Sequence, residues 1–243
     1  MERSMMRAAA STAALGLVLL GLTACAPDVA PLVATRPASH PTTTKESAMT
    51  VATRDLLAAA AAGDADAVRV ALDAGAEIEA RGDGGMTALV AATKANHVDA
   101  ARVLIEAGAD VNAKDDLQDS AYLYAGARGH DEILRRTLDH GADLRSTNRF
   151  GGTALIPASE RGLLSTVEIL LDAGVDPNHV NNLNWTALHE AIVLGDGSDA
   201  YVAVVQALID GGADISIRDG DGVLPHDLAA SRGYDAIAAL LEG

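Results

Sequence analysis

The chain has 243 residues and a formal net charge of −16; 49% of it is hydrophobic but only 2% aromatic. Such a charge is repelled by a nucleic-acid duplex and by an anionic membrane face, which argues against binding through phosphate neutralisation. With so few rings the core falls to alanine and leucine, which suits closely packed helices rather than a β-sandwich.

At the N-terminus, Arg3 and Arg7 precede an apolar run from Ala8 to Leu22. A positive start, a short apolar stretch and small residues after it form the layout of an export signal over residues 1–24. The run is short for a stable membrane span, which needs roughly 20 residues. It ends in Leu22-Thr23-Ala24-Cys25, and Cys25 is the only cysteine of the chain. These residues resemble the lipobox of bacterial lipoproteins, which implies lipidation at Cys25 and anchoring to the cell envelope. Ala24-Cys25-Ala26 also fits an ordinary small-x-small cleavage site. With a single cysteine no disulfide forms within the chain, and folding rests on packing alone.

Residues 25–52 are rich in Pro, Thr, Ser and Ala, including Pro27, Pro31, Pro37, Pro41 and Thr42 to Thr44. This composition predicts a semi-extended tether without a core of its own. About 25 stretched residues reach roughly 80 Å.

From residue 53 to the end the sequence repeats itself. Gly-Ala or Gly-Val pairs begin at Gly75, Gly108, Gly141, Gly174 and Gly212, with gaps of 33, 33, 33 and 38. Thr87, Ser120, Thr153 and Thr186 run in parallel, each 33 apart. Two markers with one period predict a solenoid. Each hydroxyl residue is suited to cap a helix N-terminus. The first helix of each unit is alanine-rich, as in Ala88-Leu89-Val90-Ala91-Ala92, and the second carries an apolar stripe such as Val98, Ala101, Val103, Leu104 and Ile105. The glycine pair stops the second helix, and a polar turn such as Ala109 to Ala113 leads onward.

The segments "TALVAATKANHVDAARVLIEAGADVNAKD" and "WTALHEAI" resemble the ankyrin repeat, with alanine often replacing the usual proline. The resemblance covers about Thr53 to Gly243 and implies an all-α solenoid of about six helix-pair units with short hairpin turns. The first unit lacks its hairpin start, and the last ends after its second helix. The stretches "NRFGGTALIP", "HVNNLNWTAL" and "LGDG" are similar to those of a group of exported bacterial ankyrin proteins. Unit five departs from the pattern with five extra residues around Gly195 to Asp199. Unit six has Leu224 at the cap position, followed by Pro225. Gln118 and Asn184 replace a usual turn glycine.

No constellation for catalysis stands out: the nucleophile elbow, the phosphate loop and the His-Glu-x-x-His motif are absent from the sequence. Neither a metal nor another cofactor is expected, and the chain reads as a non-enzyme. Asp219-Gly220-Asp221-Gly222 looks faintly like the start of a calcium loop but lacks the later ligands, so a hairpin turn is expected. His189, His97 and His130 occupy slots where the resemblance implies structural hydrogen bonds.

The resemblance also implies a concave face of hairpin tips and first helices where partners bind. The candidate binding residues there are Asp119, Tyr124, Arg149, Phe150, Glu160, Arg161, Trp185 and Glu190, clustered on units three to five. Aromatics and arginines together are the usual anchors of a binding site. Phe150 and Trp185 could equally pack between hairpins, and Arg149, Glu160 and Arg161 could be solvated ion pairs. Tyr122, in a core leucine position, is expected inside. Pro157 falls four residues after the cap expected at Thr153, where only the first intrahelical bond is lost.

The function expected is a membrane-tethered, monomeric interaction module outside the cytoplasm, binding a protein or peptide, with basic patches favoured in the partner. The alternative is a binder of an anionic or sugar-like solute in a pocket of the same residues. Acid–base chemistry by Glu160 and Glu190 is a remote third reading.

Overall fold

A computed structural model describes residues 49–242; the expected signal segment, the lipidation at Cys25 and all but the end of the expected tether lie outside them. The described residues belong to one compact unit. They contain α-helices and one short 3₁₀ turn at Asp83–Gly85, with no strand among them.

Twelve helices form six pairs. The inner members are α1 (Val51–Ala62), α3 (Ala88–Lys94), α5 (Ala121–Arg128), α7 (Leu155–Glu160), α9 (Ala187–Val193) and α11 (Pro225–Ser231). The outer members are α2 (Ala65–Asp73), α4 (Val98–Glu106), α6 (Asp131–Asp139), α8 (Leu164–Asp172), α10 (Asp199–Asp210) and α12 (Asp235–Leu240). Each inner helix packs on the next inner helix and each outer on the next outer, giving the two-layer solenoid the repeat period predicts. The first helix starts at Val51, capped by the Thr50 side chain, so the residue-53 boundary falls inside α1.

The inner layer is thin because its side chains are small. Ala88, Ala92, Ala121, Ala125, Ala154, Ala158, Ala187 and Ala191 recur in register, all essentially inaccessible. At Gly126 even alanine is too large: a Cβ there would stand 2.8 Å from that of Ala154 on the next helix. Leucine and isoleucine fill the seam between layers, as with Leu89, Leu104, Ile133, Leu134, Leu155 and Leu170. Tyr122 is fully buried among them, as expected. Its hydroxyl has no partner, and burial, with a smaller contribution from the Asp143 charge, pushes its pKa well above the usual phenol value.

The polar signature residues stitch the stack. Asn112 donates from its side-chain amide to the Gly141 carbonyl (3.0 Å) and accepts from the Asp143 N–H (2.8 Å). Asn178 does the same with Gly212 (3.1 Å) and Asp214 (2.7 Å). At the far edge, His97 Nε2 meets the Ala61 carbonyl (3.1 Å), and His130 Nδ1 meets that of Thr93 (3.0 Å). Tyr201 and Tyr234 take over this role further along, donating to the carbonyls of Glu160 (2.9 Å) and Gly195 (3.0 Å). The insertion in unit five is absorbed here. Helix α10 ends 38 residues after α8 but has 12 residues to its nine, so three of the five inserted residues extend the helix.

Capping follows the sequence at three of the four marker positions. Thr87 accepts from the Val90 N–H (3.3 Å) and Ser120 from that of Leu123 (3.2 Å). Thr186 and His189 form a reciprocal box, the ring Nδ1 accepting from the Thr186 N–H (3.2 Å). Thr153 departs from expectation: it makes no side-chain cap, Ala154 takes the cap position, and the helix starts one residue late at Leu155.

Candidate functional site

Four of the five hairpins that separate the units are built by one side chain each; the first, with Gly82 at that position, is closed by backbone bonds of Gly82 with Met86 and Gly85. Asp115 Oδ1 accepts the N–H groups of Leu117 and Asp119, both at 2.9 Å. Asn148 does so for Phe150 and Gly152, Asn181 for Leu183 and Trp185, and Asp219 for Asp221 and Val223. A short Asp or Asn side chain that mimics a backbone turn is the physical reason these loops keep one shape. Asp219 therefore serves a hairpin turn, as expected, and no group of three or more potential metal ligands occurs among the described residues.

Between the hairpins and α5, α7 and α9 run two adjoining hollows. The first, about 160 Å³, is lined by Asp119, Tyr124, Arg128, Arg149, Phe150, Glu160 and Arg161, with Pro157 in its wall. It thus brings together six of the eight candidates. The second, about 330 Å³, shares Phe150, Pro157 and Glu160 and adds Ile156, Leu183, Glu190 and Leu194. Trp185 lines neither hollow; it is half-buried at the base of its hairpin, its N–H bonded to Asn181. The pocket expected to include Trp185 is therefore formed without it.

Tyr124 sits between cations in the first hollow. The Lys94 ammonium lies 5.1 Å and the Arg128 guanidinium 5.5 Å from its ring centre, within cation–π range. Lys94 also binds the buried Asp115 carboxylate (2.5 Å) and that of Asp119 (3.0 Å). Burial alone would lower the Lys94 pKa, but the hydrogen bonds and charges of the two aspartates outweigh it and raise the value. Asp119 is accordingly engaged by a cation of its own chain. Arg149 covers the exposed Phe150 ring at 4.6 Å, so Phe150 is not packed between hairpins. Arg128 and Arg149 form no salt bridge with any described residue.

Pro157 shapes the wall between the hollows. In neighbouring units the fourth residue after the cap returns its N–H to the cap carbonyl, as Ala91 does to Thr87 (3.0 Å). Proline has no such donor. Arg161 donates to the Pro157 carbonyl (3.2 Å) and pairs with Glu160 (3.2 Å), so these two charges are partly spent on each other.

Glu190 has the most displaced acidity. It is only 6% exposed, and Asn181 donates to its Oε1 at 2.8 Å. Burial first and the neighbouring Glu160 charge second push its pKa up to about 7, against the opposing pull of Asn181 and Arg161. Lys94, Asn181, Leu183 and Leu194 were not among the candidates from sequence. The Asp/Asn spacing of 115, 148, 181 and 219 is the signal by which the turn-forming pair Asp115 and Asn181 could have been found.

Repeated helix pairs in two layers, with hairpins edging a trough, define a solenoid scaffold of interaction type. The chain belongs to the ankyrin-repeat family: a family model described as ankyrin repeats (3 copies) matches residues 42–115 and 122–219. A crystal structure of an ankyrin repeat domain (ABAYE2397) from Acinetobacter baumannii AYE is 56% identical, covers 76% of this chain and 95% of its own, and superimposes with a TM-score of 0.75. The ankyrin repeat protein EF0377 is 40% identical, with 78% and 96% coverage and a TM-score of 0.75. The ankyrin repeat protein YahD of Escherichia coli is 46% identical over 54 residues, 22% of this chain; the match spans 27% of the length of that relative. Ankyrin repeats are in general protein-interaction modules and non-enzymatic scaffolds.

Proposed function

We propose that the chain is a monomeric, membrane-tethered ankyrin module outside the cytoplasm, held by a lipid at Cys25, which binds a protein or peptide in the trough of units three to five. The observation that carries the binding reading is the convergence of Tyr124, Arg128, Arg149 and Phe150 on one hollow. An exposed ring and two arginines without ion-pair partners among the described residues are the side chains that anchor interfaces. Rigid repeats present them already ordered, so little entropy is lost on association. The net charge of −16 favours a partner with basic patches. The tether reading rests on the charged start, apolar run and Cys25 of the sequence.

The solute-binding reading is less well supported. Both hollows are open to the trough and lie at or below the lower end of the size range of small-molecule sites. They suit the side chains of a larger partner. Capture from an envelope extract by the full chain, compared with Arg149→Ala/Phe150→Ala, tests the proposal. Loss of a captured protein in the double variant is expected; equal capture by both proteins would remove this site from consideration.

A further inference from the structure

The second hollow combines features that select a ligand more narrowly than the trough as a whole. Its wall is apolar, formed by Phe150, Ile156, Pro157, Leu183 and Leu194. Phe150, Leu183 and Leu194 are 58%, 58% and 52% exposed, large apolar surface left to solvent on one rim. Into this wall is set the Glu190 carboxyl, more than nine-tenths buried. One of its oxygens is held by Asn181, and no described residue donates a hydrogen bond to the other. Glu160, the second acid of the hollow, already has Arg161.

A purely apolar group filling this space would force the Glu190 carboxyl to take up a proton and leave its second oxygen without a hydrogen-bond partner, away from water. An acidic group would meet Glu190 and Glu160. A bare ammonium would leave the apolar wall wet. A cation on an aliphatic stem satisfies every surface present, because lysine and arginine bury their methylenes and carry the charge at the tip.

Resting on the reading that the trough binds a protein or peptide, we propose that this hollow receives one lysine or arginine side chain of that partner. Its stem lies against Phe150, Pro157 and Leu194, and its cationic head donates to the free oxygen of Glu190. The apolar exposure and the unpaired buried carboxylate are then complementary halves of one receptor.

The test uses the full chain, labelled with ¹⁵N at asparagine, at pH 8. The Asn181 side-chain amide, bonded to Glu190, is the reporter. The probes are Nα-acetyl-lysine methylamide and Nα-acetyl-norleucine methylamide, which shares the stem but lacks the charge. A saturable Asn181 shift is expected with the lysine probe. Binding should be roughly tenfold weaker or more with norleucine, and with lysine in Glu190→Gln, because a charge-assisted hydrogen bond contributes more than a neutral one. Glu168→Gln on α8, outside the trough, should match wild type. Equal affinity for both probes, equal lysine binding by Glu190→Gln, or no response would overturn the assignment. Capture from extract that survives in the face of such a failure would leave the trough reading intact. Lysine binding without any Phe150-dependent capture would instead sink the broader reading.

Discussion

The Ile156 N–H donates to the Thr153 carbonyl at 3.2 Å, a contact one residue shorter than the one that opens the neighbouring inner helices. Pro157 cannot make the longer bond, and Ile156 takes its place. The same N–H would otherwise be the donor to the Thr153 hydroxyl, as Val90 is to Thr87. Thr153 Oγ1 is consequently buried without a partner.

Opposite responses at equivalent positions follow. Thr153→Val removes an unsatisfied hydroxyl while keeping the shape, and should stabilise the fold by about 1 kcal/mol. Thr87→Val deletes a working cap and should destabilise it by about 1 kcal/mol. Urea denaturation of both variants checks the pair; the same sign in both would contradict the account of the helix start.

Gln118 holds a left-handed backbone, φ 64°, at a hairpin position where units two, four and six use Gly85, Gly151 and Gly222. A side chain in that conformation is strained by its Cβ. Gln118→Gly should therefore stabilise the chain, by up to about 1 kcal/mol after the greater freedom of glycine in the unfolded chain is counted. Asn184→Gly, starting from φ 58°, should gain less, because asparagine tolerates this region better. Thermal melts of the two variants give the comparison.

Glu190 makes stability depend on pH in an unusual direction. Its carboxyl is raised from 4.5 to about 7, so the folded state holds the proton more tightly than the unfolded one. Stability from this group is greatest below about pH 4.5, is lost as pH rises towards 7, and is fully lost above that; the whole span is on the order of 3 kcal/mol. His130 and His189, both lowered chiefly by burial, act the opposite way: their stability is present above pH 6.5 and is lost as pH falls through their folded values. The wild-type curve mixes the two. Subtracting it from that of Glu190→Gln isolates the carboxyl, and the variant should gain stability relative to wild type between pH 4.5 and pH 8. A flat difference would show that Glu190 titrates normally.

The repeat architecture was legible because its physical causes are periodic. Helix stops at Gly108 and Gly174, small contacts at Ala88 and Ala187, and hydroxyl caps at Thr87 and Ser120 each depend on near neighbours in the chain. The candidate trough was legible in outline only through the likeness to the ankyrin repeat, which places hairpin tips and first helices on one face. Trp185 misled because aromatic character says nothing about direction. Its backbone N–H bonds to the Asn181 side chain, and the ring lines neither hollow. Thr153 misled because a cap needs a donor, and the one three residues ahead was diverted by the proline beside it.

Sequence by itself determined the solenoid, since local propensity and a 33-residue period suffice for it, while the count of units and the face of the candidate residues followed from the likeness to the ankyrin repeat. Tertiary structure alone decided which charges are spent and which remain available. Asp115 neutralises Lys94 across 21 residues, Arg161 turns to Glu160, and Glu190 is buried among groups from two units with one oxygen unanswered. Those outcomes depend on distance and desolvation between repeats, and neither quantity is written in residue order.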